Sequence, residues 1–488
     1  MSGEQSGLLR GGQIKALTTA VTAGFGLLSS VVLARLLTED DLGLFVLVLA
    51  VVQVGSMLAD GGSGLAVTRY AASAGSAAVL RGSVRAGAVL RLICTVVTLG
   101  LGLALMPMLL TRLFHGSLPR NAYLWALIWI GFKSIFLYVP AVQRGRRRWG
   151  AEGILLVLEG LGLVLLYLAA GRAGVGPDGL PFLISLLYLG LAVAGSLWVL
   201  GSLRTDAGPY GSDDAPTGMG RMLRFGLPLL MNSSLFMALV WTDRILLGLH
   251  RSREELAYYY VAVGLSAAAR LLFSIPEQVL YSHLAATTRA DAPDLAEIHA
   301  RIFRFFAVAA LAVTVLGTLA GRVAIPLLYG GNYEISVWYF QLLLGVILVR
   351  IVSIPASLLL IVVYERTPET RNALLWAFLA NLALNLVLIP RYGIMGAVLS
   401  SLAGFVLATG SLWISLWRVA RLRPDGRTLG LILGVGTVWL ASLMLERFGP
   451  APAWSVWGVQ GLMALGLLYE VRGGVRRILP VPRGGATS

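Results

Sequence analysis

The chain has 488 residues, of which 57% are hydrophobic and 13% charged, with a mean hydropathy of +0.80. A water-soluble domain carries about 25% charged residues, so this chain has too little polar surface to cover a soluble globule. Its net charge of +15 would point to nucleic acid in a soluble protein, but in a chain this apolar it reflects lipid headgroups and membrane topology, and no nucleic-acid partner is expected.

The first 15 residues are polar, and no small-residue cleavage site follows the first apolar run, which predicts no removable signal peptide. From there, stretches of ~20 or more mostly apolar residues recur to the end. They fall at 16–37, 42–72, 86–111, 122–142, 150–171, 181–203, 225–249, 257–284, 303–329, 336–363, 373–389, 394–417, 429–445 and 454–470. The reading is an all-α polytopic membrane protein with about 14 transmembrane helices. The loops between them are short, so no extramembrane domain is available to host separate chemistry.

Basic residues test that count. Starting with the N-terminus inside and alternating sides, inside segments hold 24 basic residues and outside segments 7, of 39 in the chain. The bias supports both termini in the cytoplasm, in the inner membrane.

Residues 38–45, TEDDLGLF, follow the first span, and residues 252–259, SREELAYY, follow the seventh at an offset of 214. Gly131 in span 4 and Gly345 in span 10 share that offset. Six spans separate the copies, so the halves have the same orientation. A parallel repeat of this kind, related by a pseudo-twofold axis along the membrane normal, is a transporter architecture. It divides the chain into an N-terminal six-helix lobe at 1–203, a cytoplasmic linker at 204–224, a second six-helix lobe at 225–417, and two additional helices with a basic tail at 418–488.

The chain also resembles a known family. ARLLTEDDLGLF (34–45), LADGGSGLAVTRY (58–70), GLPLL (226–230), TDRILLG (242–248), EELAYY (254–259) and IPRYGIMGA (389–397) are similar in order and spacing to polysaccharide and lipid-linked oligosaccharide flippases. These form the O-antigen-type branch of the multidrug/oligosaccharidyl-lipid/polysaccharide exporter superfamily. The likeness covers roughly residues 12–420. It departs at the opening turn, where the family's usual Gly-Pro is Thr38-Glu39 here. The resemblance implies two lobes around a central cavity and alternating access. It also implies a polyprenyl-diphosphate-linked sugar as substrate, with a polysaccharide polymerase or glycosyltransferases as partners in the same pathway and membrane lipids around it.

Eight basic residues fall within spans: Arg35, Arg69, Arg91, Lys133, Arg244, Arg270, Arg322 and Arg350. A charge at the bilayer centre costs at least ~2.5–3.5 kcal/mol on insertion scales, so such residues face a partner or a water-filled cavity. Arg35, Asp243, Arg244 and Arg322 lie toward the outer face, and Asp60, Arg69, Arg91 and Glu277 toward the inner face, where long side chains can also snorkel to headgroups. Nine residues at 100° each put Asp60 and Arg69 on opposite faces of one helix, so each needs another partner.

Lys133, Glu159, Arg270 and Arg350 fall near the midplane. One acid cannot neutralise three bases, although Lys133 and Glu159 could form a buried ion pair. The expected cationic cavity therefore comprises Lys133, Arg270 and Arg350, with Arg35, Arg69 and Arg91. Arginine forks suit a diphosphate.

No G-x-x-x-x-G-K-[ST] occurs, so no nucleotide motor is indicated. The four histidines lack metal spacing, and Cys94 is the sole cysteine, which excludes an internal disulfide and a thiol metal site. No bound cofactor is expected. Transport would draw on H+ or Na+, with Asp60, Glu159 and Glu277 as candidate coupling sites, or on membrane potential or substrate supply.

Pro140, Pro276 and Pro355 read either as hinges for alternating access or as fixed packing kinks. Asn232, Asn381 and Asn385 read as cavity liners or interhelical hydrogen bonders. The rival functions are a peptidoglycan-precursor flippase and a cation-coupled multidrug exporter of the same superfamily. From another class comes a polyprenyl-dependent membrane glycosyltransferase or polymerase, against which the short loops argue. The reading chosen is a flippase and not an enzyme.

Overall fold

The computed structural model describes residues 2–204, 218–287, 295–449 and 453–478, and these are helical apart from short connections. Twelve helices among the described residues are long and apolar enough to cross a membrane. They coincide with twelve of the stretches read from the sequence. The other two, at 225–249 and 454–470, also coincide with helices, but several side chains there lie outside the described residues.

The helices divide into two units, 1–260 and 261–488. The first opens with α1 (Ser2–Leu36) and α2 (Glu39–Asp60). Thr38 starts α2 by accepting a hydrogen bond from the Asp41 amide at 3.2 Å, and Glu39, Asp40 and Asp41 place negative charge at the positive end of the helix.

Then comes the first difference from expectation. The sequence reads as one span over 42–72, but the helix stops at Asp60 and restarts as α3 (Ser63–Ser73). Gly61 and Gly62 sit between them at φ +54° and +75°. Two successive left-handed residues end an α-helix, and glycine occupies that region without a Cβ clash. An apolar count cannot register such a break.

α4 (Ala77–Met108) follows, capped by Ser76, and closes in a π-helical turn at Leu109–Leu113. Next are α5 (Arg120–Gly145), α6 (Trp149–Arg172), α7 (Leu180–Arg204) and α8 (Met219–His250). α1 packs along α6, where Gly153, Gly160 and Gly171 face Thr18, Phe25 and Leu36 too closely to admit a Cβ. Small residues that let backbones approach are the usual basis of helix association in lipid. α5 sits centrally, with Trp129, Tyr123 and Phe136 fully buried among α2, α4 and α7.

α9 (Arg253–Leu271) runs from the first unit into the second, which continues with α10 (Ser274–Thr287), α11 (Leu295–Tyr329), α12 (Ile335–Val352) and α13 (Ile354–Leu358). After a second π-helical turn at Leu359–Val363 come α14 (Thr367–Tyr392), α15 (Ile394–Ala420), α16 (Gly426–Phe448) and α17 (Ala453–Ile478). The stretches expected as single spans at 257–284 and 336–363 are each interrupted, before Ser274 and at Ser353.

Pro276 and Pro355 stand in the first turns of the helices that restart there. In a first turn the missing N–H costs nothing, whereas in a helix interior it removes a hydrogen bond. Pro140 differs, being buried inside the continuous α5.

Read as additions outside the repeat, α16 and α17 are firmly held in the second unit. Arg322 of α11 ion-pairs with Glu446 of α16 and lies 5.2 Å from the Trp457 ring of α17. Trp439 donates to Thr318 Oγ1 at 2.9 Å, and Arg304 pairs with Glu470 at 2.9 Å. Asp425 caps α16, accepting from the Thr428 amide and hydroxyl, which holds its carboxyl below the usual carboxylate range.

Candidate functional site

A cavity of about 300 Å³ lies inside the first unit. α2 supplies Gln53, Ser56, Met57 and Asp60 to its wall, spaced i, i+3, i+4, i+7, which is one helical stripe. α5 supplies Leu137, Ala141 and Arg144 at i, i+4, i+7, and α8 supplies Leu230 and Met237 at i, i+7. These stripes bring apolar side chains (Met57, Leu137, Ala141, Leu230 and Met237) and polar or charged ones (Gln53, Ser56, Asp60 and Arg144) to one shared space.

Asp60 and Arg91 form an ion pair on this wall. The glycine break positions the acid: with α2 ended, the Asp60 carboxylate turns to accept the Gly64 amide at 3.2 Å and serves the start of α3. Arg91 is held from behind. Its Nε donates to Ser134 Oγ at 3.1 Å, Nη1 donates to Ser63 Oγ at 3.3 Å, and its guanidinium lies 5.9 Å from the Tyr138 ring. Thr95 shares a 2.9 Å hydrogen bond with Ser134. The two members differ in access, since the side chain of Arg91 is 5% exposed and that of Asp60 28%.

Arg144, at the end of α5, pairs with Glu152 at 2.6 Å. Here the acid is the buried member and the base the half-exposed one, with side chains 7% and 34% exposed.

Deeper in the bundle, Lys133 donates from Nζ to Gln53 Oε1 at 3.0 Å and lies 5.9 Å from the Trp129 and Tyr188 rings. Glu159 accepts from the Tyr188 hydroxyl at 2.5 Å. Lys133 and Glu159 act on each other electrostatically, while the direct hydrogen bond of the lysine goes to glutamine. Gln53 thus touches both the cavity and the lysine.

Arg69 is on neither pair. Its guanidinium stacks 4.3 Å from the Phe225 ring, at the start of α8. Arg35 is exposed at the last turn of α1 and does not line this cavity. The partner that the helical wheel demanded for Asp60 is therefore Arg91 on α4, and Arg69 is met by an aromatic face.

In the second unit, Arg270 pairs with Glu277 at 2.6 Å. They are seven residues apart, on either side of the break between α9 and α10. The sequence puts Glu277 toward the inner face and Arg270 at the midplane; the interruption brings them together. Among the described residues, Arg270, Arg350 and Glu277 act on one another electrostatically around this break. Arg350 sits in the last turn of α12, 5.5 Å from the Phe405 ring, within the fields of Arg270 and Glu277.

The two arginines occupy similar places in the chain. Each precedes a Ser-Ile-Pro by three or four residues, and each carbonyl accepts a short-range amide bond at the break, from Phe273 and from Ser353. Asn381 donates to Ser401 of α15 at 3.4 Å, and Asn385 to Asn381 at 2.9 Å; both are fully buried. The side chain of Asn232 lies outside the described residues.

α8 is fastened at both ends within the first unit. Near its start, the Gly226 and Gly62 backbones touch: a Cβ on Gly226 would lie 2.7 Å from the Gly62 carbonyl. Past its end, the backbone of Arg253 lies against Gly43, and Arg253 pairs with Asp40 at 2.9 Å. His115 reaches the Gly248 carbonyl at 3.1 Å. The two copies of the repeated acidic turn therefore meet directly.

The order and spacing of the motifs, the membrane-length helices and the cavity agree with a match to known proteins. Residues 8–286 match the family described as polysaccharide biosynthesis protein. The chain belongs to that family.

It is thereby a member of the multidrug/oligosaccharidyl-lipid/polysaccharide exporter superfamily. Among solved structures, the lipid II flippase MurJ in an inward closed conformation is similar with a TM-score of 0.68. That match has 13% identity and covers 95% of this chain and 98% of the other. The eukaryotic MATE transporter AtDTX14 is similar with a TM-score of 0.50 and 13% identity, covering 87% of this chain and 100% of the other. At these identities the likeness is one of fold. No curated protein sequence matches the chain.

Sequence reasoning missed Gln53, Arg144 and Phe225. Gln53 carried a signal, being seven residues before Asp60 on an otherwise apolar stripe. Arg144 was counted with the basic loop 144–148 because charge near a span end reads as topology. Phe225 carried none, since aromatic residues are common at span ends.

Proposed function

We propose that the protein flips a polyprenyl-diphosphate-linked oligosaccharide from the cytoplasmic to the outer leaflet by alternating access, for cell-surface polysaccharide synthesis. The observation that carries this reading is a cavity whose largely apolar wall carries the charged side chains of Asp60, Arg91 and Arg144, in a chain of a polysaccharide biosynthesis family. A hydrated sugar-diphosphate cannot cross hydrocarbon unaided, and a cavity with arginine forks offers it a path. Arg91 on the cavity wall, with Lys133 and Arg69 elsewhere in the first unit, and separately Arg270 and Arg350 in the second, are proposed as anion-binding residues; Arg35, expected with them, does not line the cavity. Asp60, Glu159 and Glu277 are proposed sites for H+ or Na+, and Pro140, Pro276 and Pro355 proposed hinges. Polymerase and glycosyltransferases would act before and after it.

A second reading has its own support: the similar fold of a lipid II flippase favours a peptidoglycan lipid precursor. Reconstitution of the purified chain into liposomes separates the two. A fluorescent lipid-linked oligosaccharide should become accessible in the opposite leaflet in a protein-dependent manner, and a lipid-linked peptidoglycan precursor should not. The reverse result would establish the second reading; movement of neither would remove both.

The proposal includes an orientation, supported by the asymmetry of basic residues: 14 spans, lobes at 1–203 and 225–417, and both ends inside. Reporter fusions after residues 148, 215 and 480 should all read cytoplasmic. A periplasmic signal at 215 would overturn the lobe assignment.

A further inference from the structure

We infer that Asp60 is a built-in competitor of the substrate's diphosphate: its carboxylate occupies the anion position in front of Arg91, and the diphosphate must displace it to bind. This rests on the flippase reading of the same cavity and adds to it a specific exchange step.

The argument begins with which member of the pair a ligand meets. Both line the cavity, where Arg91 is almost wholly buried and Asp60 is the more accessible member, a quarter exposed. An anion arriving in the cavity therefore finds a carboxylate where it needs a guanidinium. A diphosphate cannot share that position, because two anions side by side in a poorly solvated site repel strongly. It can, however, take over the contacts. Asp60 offers Arg91 one carboxylate and receives, besides the arginine, a 3.2 Å amide bond from Gly64. A phosphate group presents more acceptor oxygens to the same donors, Arg91 and the Ser63 hydroxyl beside it.

The rest of the site is built so that Arg91 stays put when its partner leaves. Ser134 holds Nε from behind, and the Tyr138 ring flanks the guanidinium. Asp60, by contrast, ends a helix and is followed by two glycines in left-handed conformation. Its side chain, a quarter exposed, can turn about its own χ angles into the cavity space while the packed glycine backbone stays in place. The arrangement explains why a strongly basic chain places an acid at the front of its cavity. An exposed, unoccupied Arg91 would trap any anionic headgroup. With Asp60 in place the site is neutral until a ligand able to make several bonds arrives, and the returning carboxylate expels that ligand at the end of the cycle.

Arg144 shows the opposite order on the same wall. Its guanidinium faces the cavity, and its acid, Glu152, lies behind it. Arg144 is thus open to a first contact, and Arg91 to the exchange.

The test is binding of a sugar-free polyprenyl diphosphate to the full chain in nanodiscs. Internal competition lowers the apparent affinity by the fraction of sites left free, so removing the competitor should restore it. Asp60→Asn, and as a second neutral variant the helix-capping Asp60→Ser, should bind about tenfold more tightly than the wild-type chain. Asp60→Glu keeps the charge and should not tighten, while Arg91→Gln should lose binding. In the flipping assay Asp60→Asn should be slow despite its affinity, because release is no longer assisted. If the wild-type chain binds the diphosphate but the neutral variants bind no more tightly, or Asp60→Glu tightens as much as Asp60→Asn, the exchange is wrong and the flippase reading stands. If the wild-type chain binds no polyprenyl diphosphate, both fall.

Discussion

Gly226→Val should abolish flipping while the chain still inserts into the membrane. In the structure the Gly226 and Gly62 backbones are in contact beside the cavity, and a single added Cβ already lies 2.7 Å from a backbone carbonyl. Backbone cannot move aside as a flexible side chain can, so valine must push α8 away from α3. Gly62→Ala should act in the same direction, with a second penalty. At φ +75° a Cβ costs roughly 1–2 kcal/mol on its own.

The α3–α8 contact beside the cavity would then be lost, and under the proposed alternating-access mechanism a disrupted helix contact at the cavity should stop the cycle. The chain carries its own reporter. Cys94, the sole cysteine, packs against Gly61 at the same break, so a water-soluble maleimide should label Gly226→Val severalfold faster than the wild-type chain. Normal transport with unchanged labelling would show that the contact is mere packing.

The second large effect concerns the arginines of the second unit. Arg270→Ala and Arg350→Ala should each lower flipping about a hundredfold or more, with insertion unaffected. Removing one member of an ion pair strands the other charge, and Arg270→Ala strands Glu277; the pair is only part-buried, so that cost falls below the ~3–5 kcal/mol of a fully buried pair. A loss due only to that stranding should be reversed in Arg270→Ala/Glu277→Gln, since the amide needs no counter-ion. A loss due to missing substrate contact should persist. Persistence is expected, and full recovery would reduce Arg270 to a structural role. Arg350→Lys should keep part of the activity, because lysine retains the charge but not the planar fork. Arg350 faces Phe405 at 5.5 Å, a stacking that guanidinium makes better than ammonium.

The helices and the charges within them were legible in the sequence for one reason. Moving a charge or a loop into hydrocarbon is so costly that apolar length and basic asymmetry must show at the level of composition. The acidic pattern shared by 38–45 and 252–259 was legible in the sequence, and the structure shows those two turns touching. The motifs carried the family, and the family match over 8–286 agrees with them. The breaks were less legible. Gly61-Gly62 and the two Ser-Ile-Pro segments are plain in the text, but an apolar window runs straight across them. A Pro or Gly inside a membrane helix is compatible with a kink, a full stop or no change at all.

Charge pairing lay beyond sequence altogether. A helical wheel shows that Asp60 and Arg69 need different partners. It cannot show that these are Arg91, 31 residues on, and Phe225, 156 residues on. Depth alone separated Glu277 from Arg270, and a helix interruption rejoined them. The sequence by itself determined that this is an all-α polytopic membrane protein with basic residues inside its spans, because those properties sum over single residues against a uniform solvent. Only the tertiary structure decided which charges neutralise each other, and which member of each pair faces the cavity. Those outcomes depend on distances of a few ångströms between helices far apart in the chain, where one residue of rotation exchanges a partner for lipid.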